Sequence, residues 1–163
     1  MRKLTVVGSF VATLFAAGVA LADSAAIVIA NDPGGYLLTY VRGWENIAAL
    51  RNQIEIRGNC LSACTLVLGL VPAERVCVRE DAKFGFHSVS VNYGEHSPEG
   101  TRYLWSLYPP PVQDFVRSKG WDGGTGEPSN GLVMVAGTVF YPLCGSSPRT
   151  DRQFAVARLD QGL

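Results

Sequence analysis

The sequence predicts an α/β fold in which helices flank a mostly parallel sheet. Short apolar or alternating segments, typical of strands, alternate along the chain with segments of helical periodicity. The strand-like segments are 25–30, 53–57, 75–79 and part of 82–91, and the helix-like segments between them are 36–50 and 62–70. Because a strand followed by a helix usually leads to a second, parallel strand, this order favours a parallel sheet.

The remaining elements are predicted from apolar spacing and from turn residues. In the segment 36–50, apolar residues fall at 37, 38, 41, 44, 47, 48 and 50, which is the pattern of one buried helix face. Later segments predict a polar loop at 95–100, helices at 101–108 and 111–119, an exposed loop at 120–131, a strand or buried segment at 132–136, a helical turn at 139–143 and an edge strand at 154–159.

The first 22 residues have the features of a signal peptide. Arg2 and Lys3 precede an apolar stretch, and Ala20-Leu21-Ala22 is a small-residue cleavage site. We therefore expect a signal peptide at 1–22, a single domain at 23–163 and an exported protein that is periplasmic or secreted. The alternative is that the segment stays uncleaved as a membrane anchor.

The charge balance excludes some partners. The chain has 14 basic and 14 acidic residues, and a basic excess that would indicate nucleic-acid binding is absent from the sequence. No second long apolar span follows the signal peptide, so we expect no membrane association after cleavage. We expect no cofactor.

A serine and a histidine are the candidate catalytic residues. The polar segment Arg57-Gly58-Asn59-Cys60-Leu61-Ser62-Ala63-Cys64-Thr65 leads into an apolar one, which suits a strand that turns sharply into a helix. Ser62 lies near that turn, and His87 closes a later predicted strand. A serine hydroxyl needs a base to take its proton, and His87 could supply it. The simpler interpretation is that Ser62 caps the following helix and that His87 is an ordinary strand-end residue.

An upstream turn supplies candidate oxyanion donors. The apolar run Ile27-Val28-Ile29 ends in Asn31-Asp32-Pro33-Gly34-Gly35. Two successive glycines let the backbone adopt positive φ and approach a ligand closely. Their N–H groups could form part of an oxyanion hole.

Four cysteines, Cys60, Cys64, Cys77 and Cys144, all lie in the exported part. An even number in an exported chain predicts one or two disulfides, and four cysteines allow three complete pairings. A bridge from Cys64 or Cys60 to Cys77 would pin the Ser62 turn to the next strand, and we slightly favour Cys64–Cys77. Buried thiols, a redox pair or a metal site are the alternatives; we expect no metal, because structural zinc usually takes two close ligand pairs.

These motifs resemble the proteolytic subunit of the Clp protease, within the wider Clp/crotonase fold. The narrower resemblance is to exported Clp-like proteins of bacteria, which carry a Cys-x-Ser-Ala-Cys element. The turn at 31–35 is similar to the family's Asn-Ser-Pro-Gly-Gly turn, Ser62-Ala63 falls at the nucleophile and Gly85-Phe86-His87 at the catalytic histidine. The resemblance covers about residues 26–88 and implies a truncated fold of this type.

The resemblance implies a role for each matched residue. Ser62 would be the nucleophile, His87 the base, and the N–H groups of Gly35 and Ala63 the oxyanion hole. The family's acidic third member has no counterpart in the segment 129–132, so Asn130 and Asp122 are the candidate residues to orient His87.

The leading hypothesis is an exported serine hydrolase, with peptidase activity as the first expectation. Its substrate would be a peptide or another acyl compound, and a homo-oligomer is one arrangement open to it. The first alternative is a catalytically inactive Clp-like protein that serves as a periplasmic binding module for an unidentified protein partner. The second alternative is an acyl-ester hydrolase.

Overall fold

The computed structural model describes residues 25–91, 94–123, 126, 128 and 131–146. Its main element is an open five-stranded sheet. The strands are β1 (Ile27–Asp32), β2 (Ile54–Leu61), β3 (Val76–Val78), β4 (Lys83–Phe86) and β7 (Val133–Ala136). They run in the order β1-β2-β4-β7, with β3 also paired to β2. All pairs are parallel except β4–β7, so the predicted α/β fold with a mostly parallel sheet is confirmed.

Helices fill the connections between these strands. They are α1 (Leu37–Ala49), α2 (Val67–Leu70), α3 (Pro98–Ser106) and α4 (Pro110–Ser118), with 3₁₀ turns at Ser62–Leu66, Ala73–Arg75 and Gly137–Val139. The helix α1 matches the predicted one at 36–50 to within a residue at each end. No helix in the described ranges combines the length and the apolar character needed to cross a bilayer.

A bulge divides β2 between two neighbouring strands. Its first half, Ile54–Ile56, pairs with β3, and its last three residues, 59–61, pair with β4. Gly58 between them has a φ of +58°, and Asn31 on β1 has a φ of +49°. The Asn31 side chain accepts a hydrogen bond from the Asn59 N–H at 3.1 Å, and a Cβ on Gly58 would lie 2.2 Å from Asn31 Oδ1. The bulge therefore directs the carboxyl end of β2 toward β4.

The core is formed by the sheet and the helices α1, α2, α3 and α4. Strand residues such as Ile54, Ile56, Phe84 and Phe86 are fully buried. The ring of Phe86 meets that of Tyr108 edge-on, with centroids 5.6 Å apart. This packing holds the carboxyl ends of β2 and β4 on a rigid base.

The disulfides are Cys60–Cys64 and Cys77–Cys144, so the favoured bridge Cys64–Cys77 is wrong. The register explains the error. Cys77 lies opposite Glu55 on β2, five residues before Cys60, which is roughly 16 Å along a strand. Bridged cysteines have Cα atoms within about 7 Å. Both bridges agree with the expectation of disulfide bonds.

Two other local predictions are wrong. The segment 95–100 is not a loop: β6 (Glu95–His96) pairs with β5 (Ser90–Val91), and α3 begins at Pro98 after a Ser97 cap whose Oγ accepts from the Gly100 N–H. The expected helical turn at 139–143 is instead the 3₁₀ turn at Gly137–Val139. The signal peptide at 1–22 and the edge strand at 154–159 lie outside the described residues.

Candidate functional site

The structure brings the predicted Ser62 and His87 to the same edge of the sheet. Ser62 directly follows β2, and His87 directly follows β4. These strands are parallel neighbours, with Leu61 opposite Gly85. The two candidate catalytic residues therefore leave adjacent strands at their carboxyl ends, which is where open α/β sheets commonly place ligands.

The backbone of Ser62 has an unusual conformation. Its φ is +55°, in the left-handed region that disfavours non-glycine residues. Such residues cluster at functional sites, and each costs of the order of 1–3 kcal/mol. The expectation that Ser62 caps the next helix is wrong: Leu61 is the N-cap residue, without a side-chain cap bond, and Ser62 is the first residue of the 3₁₀ turn. The Ser62 side chain is half-buried and so still open to solvent.

Three interactions hold this turn. The disulfide Cys60–Cys64 closes a five-residue ring with Ser62 at its centre. The Thr65 hydroxyl donates to the Ser62 carbonyl at 2.5 Å and contacts the Tyr108 hydroxyl, also at 2.5 Å. Thr65 is fully buried, and burial raises the pKa of Tyr108, so this link stays neutral at ordinary pH.

The glycine turn packs directly on Ser62. Gly34 has a φ of +80°, and a Cβ there would lie 2.6 Å from both the Ser62 Cβ and the Leu61 carbonyl oxygen. Only glycine fits this contact without a shift. The contact brings the turn after β1 against the turn after β2, as the oxyanion-hole hypothesis requires.

Asp32 organises the glycine turn. Its Oδ1 accepts from the Gly34 N–H at 2.8 Å and from the Tyr40 hydroxyl at 2.5 Å. Burial, the hydrogen bond to Asp32 and the charge of Asp32 together raise the pKa of Tyr40 to about 12. The Gly34 N–H is therefore occupied by Asp32 and is not an oxyanion donor.

The predicted oxyanion donors are Gly35 and Ala63. Within the described residues, the Gly35 N–H has no hydrogen-bond acceptor. Ala63 is the second residue of its 3₁₀ turn, so its N–H precedes the first intrahelical bond. Ala63 N would lie 3.0 Å from a Cβ placed on Gly34, which sets it beside the glycine turn.

His87 is half-buried beside the fully buried Phe86. In the described part of the chain, no hydrogen bond joins His87 to Ser62 or to a carboxylate. Of the two candidate orienting residues, Asp122 is exposed in the segment after α4, and Asn130 lies outside the described residues. The arrangement places a serine and a histidine at the carboxyl ends of two adjacent parallel strands, without a hydrogen bond between them.

Sequence reasoning missed the residues that support this site. The apolar spacing of α1 does not include Tyr40 and predicts no role for it. The contact between Thr65 and Tyr108 has no pattern in the sequence, because the two residues are 43 positions apart. The contact of Asn31 with Gly58 and Asn59 did have a signal, since a glycine directly after the alternating segment 53–57 can indicate a bulge.

Comparisons with protein-family models, with curated proteins and with solved structures found no match.

Proposed function

We propose that this protein is an exported serine hydrolase of the Clp-like type, and that it acts as a peptidase. Ser62 is the nucleophile, His87 the general base, and the N–H groups of Gly35 and Ala63 bind the oxyanion. The observation that carries the proposal is the left-handed Ser62, with a φ of +55°, at a strand-to-helix turn beside the end of β4.

The chemistry follows from these roles. Ser62 Oγ attacks the substrate carbonyl carbon while His87 takes the hydroxyl proton. The tetrahedral oxyanion accepts hydrogen bonds from the two N–H groups, which can lower the barrier by roughly 3 kcal/mol per donor. His87 then donates its proton to the leaving amine, and water hydrolyses the acyl-enzyme with His87 again as base.

Two further observations support the proposal. The Ser62 hydroxyl does not cap the following helix. The contacts around Ser62, including the disulfide Cys60–Cys64, must maintain its strained backbone. Two disulfides suit an oxidising compartment, which supports export.

The test is covalent labelling of the purified protein with a fluorophosphonate probe. We expect labelling of the native protein and its loss in Ser62→Ala and in His87→Ala. Ser118→Ala and His96→Gln are matched controls, because Ser118 is exposed on α4 and His96 bonds Thr101 instead. Labelling that survives Ser62→Ala would contradict the proposal.

The acyl-ester hydrolase remains the alternative chemistry. Casein and a short p-nitrophenyl ester, assayed side by side, separate the two. Hydrolysis of the ester alone, lost in Ser62→Ala, would leave serine catalysis standing and remove the peptidase assignment.

A binding module is the second candidate function, and one observation favours it. Among the described residues, His87 has no hydrogen bond to Ser62 and no carboxylate partner. A folded protein that resists labelling, whether alone or with substrate peptides, would support this candidate.

A further inference from the structure

A pocket of about 580 Å³ lies on another part of the sheet from Ser62. It opens at the end of β3, next to the first half of β2. The lining residues used in this argument are two arginines, two acidic residues and two apolar ones: Arg57, Arg79, Glu80, Asp81, Val78 and Leu143. Arg57 lies on β2, five residues before Ser62, and in the part of the chain that the structure describes the lining contains no residue of the Ser62 turn, of the glycine turn or of the segment at His87, so this pocket is separate from the candidate catalytic site.

A buried carboxylate aligns the two arginines. Glu55 is only 8% exposed, and its Oε1 accepts from Arg79 Nε at 2.6 Å and also from Arg57 Nε. Arg79 Nη2 adds a bond to Oε2 at 3.3 Å. The hydrogen bonds from Arg79, and then from Arg57, hold the pKa of Glu55 below its usual value.

This alignment leaves some guanidinium donors without an acceptor. Both Nη atoms of Arg57 and Nη1 of Arg79 have no acceptor in the described part of the chain. The side chains of Arg57 and Arg79 are about half exposed, at 48% and 50%. Two guanidinium groups fixed side by side by one carboxylate are suited to a ligand carboxylate.

The wall of the pocket is rigid. The disulfide Cys77–Cys144 ties the segment after β7 to β3. Two backbone bonds reinforce it, from the Cys144 N–H to the Val78 carbonyl and from the Val78 N–H to the Pro142 carbonyl, each at 3.0 Å. Leu143, which is 37% exposed, is therefore held as a fixed apolar surface beside the arginines.

The charges of the lining restrict the ligand. The lining itself carries two arginines and two carboxylates, Glu80 and Asp81. Glu55, bonded to both arginines, adds a third carboxylate beside the lining, so a dianion such as phosphate meets a net negative environment. A zwitterion satisfies both signs. We propose that this pocket binds an amino acid or short peptide with an apolar side chain. Its carboxylate contacts Arg57 and Arg79, its ammonium lies near Glu80 or Asp81, and its side chain contacts Leu143.

Isothermal titration of the purified protein with the dipeptide Ala-Leu tests this proposal. We expect saturable binding that weakens about tenfold or more in Arg57→Gln, because hydrogen bonds to charged groups contribute roughly 1.5–3 kcal/mol. Arg42→Gln, which removes an exposed charge from α1, is the matched control and should leave binding unchanged.

Three further ligands separate the contributions of the ammonium and of the carboxylate to binding. Acetylated Ala-Leu removes the cation, amidated Ala-Leu removes the anion, and inorganic phosphate offers an anion alone; each should bind at least about tenfold more weakly. Equal affinity of the amidated dipeptide or of phosphate would overturn the proposal. Unchanged binding in Arg57→Gln, or no binding of Ala-Leu up to about 10 mM, would overturn it as well.

Discussion

At the scale of single residues, the candidate site depends on backbone conformations that most side chains avoid. Ser62 and Asn31 have positive φ without being glycine, and Gly34 and Gly58 complement them at close range. The sequence pointed to Gly34, because a Pro-Gly-Gly turn is recognisable. It could not point to the strain at Ser62, which exists only because neighbouring elements impose it.

The contact between Gly34 and Ser62 can be tested with one methyl group. Gly34→Ala should destabilise the protein by about 2–4 kcal/mol, because left-handed strain and overpacking act together, and it should abolish probe labelling. Gly43→Ala is the control: nothing lies within 4 Å of a Cβ there, and the site is in the interior of α1. It should stabilise the protein by about 0.5–1 kcal/mol. Chemical denaturation measures the free energy of unfolding of both variants. Equal changes in Gly34→Ala and Gly43→Ala would contradict the close packing of Gly34 on Ser62.

The pair Tyr40–Asp32 makes a prediction at high pH. A folded-state pKa of about 12, above the ordinary value of 10.0, means that Tyr40 stabilises the fold fully below pH 10 and less as the pH rises toward 12. Tyr40→Phe should lower the free energy of unfolding by about 1.5–3 kcal/mol at pH 7. Its difference from the native protein should shrink between pH 10 and pH 11. If the difference stayed constant over that interval, the ionisation of Tyr40 would not be linked to the stability of the fold.

At the scale of elements, the parts of the sequence with strong local patterns were predicted well. The helix α1 and the strand β7 match their apolar spacing. The polar composition of 95–100 predicts a loop, whereas α3 begins at Pro98 after the Ser97 cap, a residue pair that is typical of a helix start. The disulfide pairing depends on strand register, which the cysteine spacing does not contain.

The two disulfides should have separable effects. In the chain-entropy description, the 67-residue separation of Cys77–Cys144 stabilises by about 4 kcal/mol and the four-residue separation of Cys60–Cys64 by about 2 kcal/mol. Replacing Cys77 and Cys144 by serine should therefore lower thermal stability more.

For the Ser62 turn, the order of the two disulfides should be reversed: loss of Cys60–Cys64 should have the larger effect. Replacing Cys60 and Cys64 by serine opens the ring around Ser62, so hydrogen exchange at 61–66 should accelerate and probe labelling should fall. If removal of Cys77–Cys144 produced the larger loss of labelling at a temperature where both variants are folded, the ring would not be what holds Ser62.

At the scale of the whole molecule, an ionic cluster joins the edge of the sheet to its centre. Glu55 on β2 pairs with Arg57 on the same strand and with Arg79 after β3. A depressed carboxyl pKa contributes stability that is present above the ordinary value of 4.5 and is lost as the pH falls below it. The cluster should therefore make the fold sensitive to acid.

Glu55→Gln tests this contribution. At pH 7 it should cost about 1 kcal/mol, because the two arginines that lose their charged partner are half exposed and stay solvated. The difference in free energy of unfolding between variant and native protein should narrow as the pH falls from 5 to 3. Denaturant titrations at several pH values measure it, and a gap that does not narrow would show that the Glu55 charge does not stabilise the fold.

The overall architecture was predictable because alternating strands and helices restrict a chain to few arrangements. That Ser62 and His87 would lie at the same edge of the sheet was predictable, since the carboxyl ends of parallel strands meet at one edge. What was not predictable is its support, which consists of contacts such as Thr65 with Tyr108 and Gly34 with Ser62 between segments distant in sequence.

The most direct test of the account is peptide mapping by mass spectrometry after fluorophosphonate treatment of the native protein. We predict a single phosphonyl adduct on Ser62 that is absent in His87→Ala. A folded protein that carries no adduct, or carries it on a different serine, would contradict the central claim that the turn after β2 presents an activated nucleophile.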